Sequence, residues 1–125
     1  ASRPGIVFAT LPGERHELGL LMAATTCASQ GYKAHYLGPD LPPKEIASFA
    51  SSTRSSVVAL SIVAVDQLDA IPSMLAEIID GTAGQAAVWL GGPGARKLDE
   101  SSLPDSCVIV QDEFELERRL QMLAA

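Results

Sequence analysis

The feature that most constrains this chain is a nearly unbroken apolar, β-rich run at its centre, residues 57–63, with helical spacing on either side. A strand apolar on both faces must be covered on both faces, which is the mark of a central strand in a parallel sheet. Four shorter runs belong with it: residues 6–9, 33–37, 86–90 and 108–110. The stretches between them are too long for hairpins. Residues 16–30 place Leu18, Leu21, Met22, Thr25 and Thr26 at helical spacing, and Gly31 follows where a helix ends. Pro42 and Pro43 open a helix through Ala50, since proline is tolerated in a first turn. Further helices are expected over 66–79, 95–101 and 112–123. The last carries Asp112, Glu113 and Glu115 near its start and Arg118 and Arg119 further on, which suits the helix dipole. Five strands alternating with five helices predict a single doubly wound α/β domain over residues 1–125: a flavodoxin-like or Rossmann-like five-stranded parallel sheet flanked by helices.

Charge and cysteine usage narrow the function classes. Nine Lys+Arg against fifteen Asp+Glu give a net charge of -6. Nucleic-acid binding by this chain is therefore not expected, because phosphate contacts need a basic surface. No apolar run reaches the length of a membrane span, and Ala1 to Gly5 lack the order of a signal peptide. Cys27 and Cys107 are too few and too far apart for a disulfide framework or a zinc site. Both sit among apolar neighbours and read as buried thiols, which fits a reducing cytoplasm.

In a doubly wound sheet, ligands bind at the carboxyl ends of the strands where the strand order reverses. That directs attention to residues 11–18, 61–68 and 91–94. The first loop has no G-x-G-x-x-G fingerprint and no P-loop. It offers His16 with Glu14 two residues before it. A carboxylate on one ring nitrogen fixes the tautomer and raises the basicity of the other, so Glu14 can orient His16 as a metal ligand. A solvated or capping histidine is the plainer alternative. One histidine does not hold a free metal ion, but it suffices for a metal whose other positions a macrocycle fills. Ser61 ends the buried third strand, either as a small residue serving a backbone group or as a polar contact at the crevice. Gly91 and Gly92 end the fourth strand, as a plain turn or as a backbone bare enough for a flat ligand to lie against. Gly19 is unfavourable inside a helix and suggests a close approach by a ligand or a neighbouring element. No nucleophile–base pair or acidic dyad appears, so no catalytic residue is assigned. His35 and Trp89 read as structural.

Together these pieces resemble the motif of cobalamin-binding domains from methyltransferases, mutases and related regulators: D-x-H-x-x-G, then S-x-L, then G-G. Glu14 to Gly19 stand for the first part, Ser61 to Val63 for the second and Gly91-Gly92 for the third. Residues 20–60 and 64–90 lie between them, matching that family's separations. Glu14 replaces aspartate and Val63 replaces leucine. The family also carries a hydroxyl in the loop after Ser61, where Ala64-Val65-Asp66-Gln67 carries none. The resemblance implies cobalamin in the adenosyl, methyl or hydroxo form, with His16 as the lower axial ligand of cobalt. The cofactor's own base would then lie in a slot of the domain. Ser61 would bond that base, Gly91 and Gly92 would line the slot, and Gly19 would let the first helix begin beneath the corrin.

The stretches PGERHELGLLMAA and HYLGPDLPPKEIA are similar to the C-terminal domain of cobalamin-dependent MerR-type transcriptional regulators. In that family a DNA-binding domain and a helical bundle precede this domain. The resemblance implies a sensor module, excised or stand-alone, whose uncapped upper face favours self-association. The alternative it leaves open is a corrinoid-carrying domain of a methyltransferase or mutase system. A plain flavodoxin-like interaction module is the third reading.

Overall fold

A computed structural model describes residues 3–124. Ala1, Ser2 and Ala125 lie outside the described residues, and so do the start of the amino-terminal stretch and both ends of the 1–125 domain read above.

Apolar runs become strands where both of their faces can be covered. The strands are β1 (Gly5–Ala9), β2 (Lys33–Gly38), β3 (Val57–Ser61), β4 (Ala87–Gly91) and β5 (Cys107–Ile109). They pair in parallel throughout, in the order β2-β1-β3-β4-β5. The helices are α1 (Leu18–Ser29), α2 (Pro43–Ser52), α3 (Ile71–Gly81) and α4 (Glu113–Ala124). The five-stranded doubly wound fold is therefore as the sequence predicts, with the strand order reversing between β1 and β3.

Side-chain alternation along the strands feeds two cores. Val7, Val58, Leu60, Val88 and Leu90 face α2 and α3. Ile6, Phe8, Val57 and Trp89 face α1 and α4, where Leu20, Leu116 and Leu120 meet them. Each such side chain contributes roughly 1.5–3 kcal/mol by leaving water. α2 and α3 pack closely against each other, whereas α1 and α4 meet along little of their length. The Tyr32 hydroxyl donates to the Leu120 carbonyl, and the Thr26 hydroxyl donates to Glu113 at 2.6 Å. Those bonds hold α4 beside α1 where side-chain packing is sparse.

Four expectations change. α1 begins at Leu18, so His16 lies in the loop ahead of the helix, where its own N–H is bonded to Glu14. The face of α1 chosen by spacing is the outer one: Leu18, Leu21 and Met22 are exposed, while Leu20, Ala24 and Cys27 are buried. Residues 66–79 divide into a 3-10 turn, Leu68–Ala70, and α3, which starts at Ile71 so that Pro72 falls in the first turn. Residues 95–101 form no single helix. Two 3-10 turns, Ala95–Lys97 and Glu100–Ser102, are separated by extended backbone at Leu98, and Asp99 caps the second through the Ser101 N–H. The helix count is therefore four α-helices among the described residues rather than five.

Candidate cofactor site

The loop from β1 to α1 is built around Glu14. Thr10 donates its hydroxyl to the Glu14 carbonyl at 2.6 Å, and Gly13, at φ 87°, turns the chain and donates its N–H to Asp40 at 2.7 Å. These contacts carry the Glu14 carboxylate into the crevice at the reversal point. One oxygen, Oε1, accepts from the Val63 and Ala64 N–H groups at 2.7 and 2.9 Å. The other, Oε2, is 2.6 Å from His16 Nδ1 and accepts the His16 N–H at 3.3 Å. A glutamate thus spans from the first loop to the third-strand loop and still holds the imidazole.

The protonation states follow from these partners. Burial alone pushes the Glu14 carboxyl up, but the bonds from His16, Ala64 and Val63 outweigh it and leave the group below its ordinary value. An ionised carboxylate only accepts, so Nδ1 carries a ring proton and Nε2 is the nitrogen left to meet a metal. Nε2 has no partner among the described residues, and the His16 side chain is 64% exposed, against 8% for Glu14. The imidazole is thus oriented from behind and open in front. Among the described residues, no three His, Cys, Asp or Glu side chains group to hold a bare metal ion.

Beside this pair, a cavity of about 360 Å³ lies between the sheet, α1 and α4. Gly19, Ser61, Val63, Gly91 and Gly92 all line it; Glu14 and His16 do not, so the structure places them next to the cavity rather than in its wall. Ser61 is buried at the end of β3, where it joins the lining of the cavity. The glycines play different parts. A Cβ on Gly19 or Gly91 would meet nothing within 4 Å, so packing within the domain demands neither glycine. Gly92 has φ 97°, and a Cβ there would lie 2.5 Å from the Ile62 carbonyl oxygen. That glycine lets the β4 loop close on β3, where the Gly94 N–H donates to the same carbonyl at 2.8 Å.

Trp89 and Cys27 belong to the core, as expected, and they also line the cavity. The signal in the sequence was the small stripe Gly19, Ala23 and Cys27, spaced four apart on α1, which leaves room against the sheet. Burial, with Glu113 nearby, pushes the Cys27 thiol up to about 12, and burial pushes Cys107 up to about 11. Both are protonated at neutral pH and are neither nucleophiles nor thiolate ligands.

Residues 4–118 match the family described as the B12 binding domain. The chain belongs to the B12-binding domain family. A curated relative, the HTH-type transcriptional repressor CarH of Myxococcus xanthus, is 31% identical over 90 residues, covering 72% of this chain and 30% of that protein. Among solved structures, a cobalamin-binding protein from Desulfitobacterium hafniense superposes with TM-score 0.77 at 23% identity, over 98% of this chain and 60% of that one. The methanol:cobalamin methyltransferase complex MtaBC of Methanosarcina barkeri gives 0.79 at 16%, over 100% and 48%. These structural likenesses show the shared fold. This B12-binding domain spans less than a third of its curated relative. Its oriented imidazole, its cavity and its two sterically unconstrained glycines fit a large macrocycle with an appended tail.

Proposed function

We propose that this domain binds cobalamin with its own base displaced, His16 taking the lower axial position on cobalt, as the sensor module of a transcriptional regulator. The observation that carries the reading is the imidazole held by an ionised, buried Glu14, with Nε2 free beside an apolar cavity. Glu14 fixes the ring and its tautomer. Gly19 and Gly91 keep the cavity clear, Gly92 sets the loop that borders it, and Val63 packs along its wall. The Ser61 hydroxyl supplies a hydrogen bond to the displaced base. When bound, cobalamin would supply the cobalt together with its methyl, adenosyl or hydroxo group. The domain's part is to bind and orient. Among the described residues it presents no nucleophile–base pair, and the chain's net charge of -6 suits a module whose DNA contacts come from another domain. Likeness to a repressor over 72% of this chain supports the regulatory assignment.

Absorption titration with hydroxo-, methyl- and adenosylcobalamin tests this. The expected result is a saturable shift that is lost or altered in His16→Ala, without methyl transfer in the presence of a partner methyltransferase. A spectrum indifferent to His16→Ala overturns the ligand assignment. Methyl uptake from a methyltransferase overturns the sensor assignment in favour of a corrinoid carrier.

A further inference from the structure

The tail of cobalamin carries one formal charge, the phosphodiester that joins the base's ribose to the corrin side chain. If the cavity takes the base, this anion lies close to the cavity's rim. The rim is electrostatically uneven. Asp112 and Glu113 line it from the start of α4, and both are exposed carboxylates. Arg96 lines it from the 3-10 turn that follows the β4 loop, and it is the one cationic side chain among the lining residues described.

Arg96 is held but not neutralised. Its Nη1 donates to the Gln111 carbonyl at 3.4 Å, which carries the guanidinium from the β4 loop toward the segment after β5. No carboxylate lies within ion-pair distance of it among the described residues; Arg15 and Arg119, by contrast, are paired with Asp40 and Glu115. A guanidinium has five N–H donors, so most of them remain available, in the fork that matches two phosphate oxygens. A domain of charge -6 with two carboxylates at this rim repels an entering anion unless a cation stands there.

We propose that Arg96 is the phosphodiester-binding residue of the cavity, pairing with the one charged group of the cofactor tail. This rests on the preceding reading that the cavity takes that tail. The test compares cobalamin with cobinamide, a corrinoid lacking the phosphodiester, ribose and base. Affinities of the full chain are measured by absorption titration for the wild-type protein, Arg96→Gln and Arg96→Lys at low and moderate salt. Arg96→Gln is expected to weaken cobalamin about five- to tenfold at low salt, less as salt rises, and to leave cobinamide unchanged. Arg96→Lys is expected to recover part of the loss, since it restores the charge without the fork.

Equal losses for cobalamin and cobinamide, or no loss for either, overturn the role of Arg96. A His16-dependent shift with cobinamide that persists in Arg96→Gln shows that the histidine reading stands on its own. No His16-dependent shift with either corrinoid overturns the parent reading and this inference with it. Arg96 is exposed, so the variants are expected to fold, and unchanged circular dichroism and melting verify that.

Discussion

Glu14 is a buried carboxylate that meets four donors: two backbone N–H groups of the β3 loop, and the N–H and Nδ1 of His16. Glu14→Ala strands the Val63 and Ala64 donors, and chemical denaturation is expected to show a loss of about 2–3 kcal/mol. The pH dependence has a definite sign. The folded value is depressed below 4.5, so the group's contribution is complete above that value and disappears as pH falls through the folded value. Stability of the wild-type chain is expected to fall more steeply with acid in this range than that of Glu14→Gln; equal slopes contradict the assignment. The glycines separate stability from binding. Gly92→Ala combines a positive φ with contact on the Ile62 carbonyl and is expected to cost about 2 kcal/mol or more. Gly19→Ala meets nothing within 4 Å and is expected to be neutral or to stabilise by about 0.5 kcal/mol, while lowering affinity for cobalamin.

At the scale of elements, α1 is the informative one. Leu20 is 3% exposed and Leu18 is 74% exposed. Leu20→Ala is expected to cost about 2–4 kcal/mol and Leu18→Ala less than about 0.5 kcal/mol. Denaturation of the two variants checks this, and similar losses contradict the packing described. The spacing of Leu18, Leu21 and Met22 pointed to the wrong side because α1 is apolar all round. Apart from Leu20, its inner face is made of small residues such as Ala24 and Cys27, which hydrophobicity alone does not distinguish. The strands were legible because β-branched runs in a buried sheet have few alternatives; β1 and β4 lie within one residue of expectation at each end. Residues 95–101 were not legible, since their backbone follows local caps at Asp99 and closure of the Gly91–Gly94 loop on Ile62. In the candidate site, the Glu14–His16 link was legible because it is local. The bonds from Glu14 to Val63 and Ala64 join segments about fifty positions apart, and no sequence pattern announces them.

Across the whole molecule, the two faces of the sheet do different work. α2 and α3 close one face with a continuous core, which gives the carboxyl-end loops a rigid base. α1 and α4 meet along little of their length on the other face, and the cavity lies between them and the sheet. A rigid half behind the imidazole and a cavity on the other half suit the displaced-base mode of binding proposed above. Among the described residues no helix is long and apolar enough to cross a membrane. The most direct test of the central claim is electron paramagnetic resonance of the domain loaded with cob(II)alamin and prepared with histidine uniformly labelled with ¹⁵N. If His16 is the lower ligand, the nitrogen splitting changes from the three lines of ¹⁴N to the two lines of ¹⁵N, and His16→Ala abolishes that change. If three lines persist with labelled histidine, the cofactor's own base occupies the lower position and the account fails.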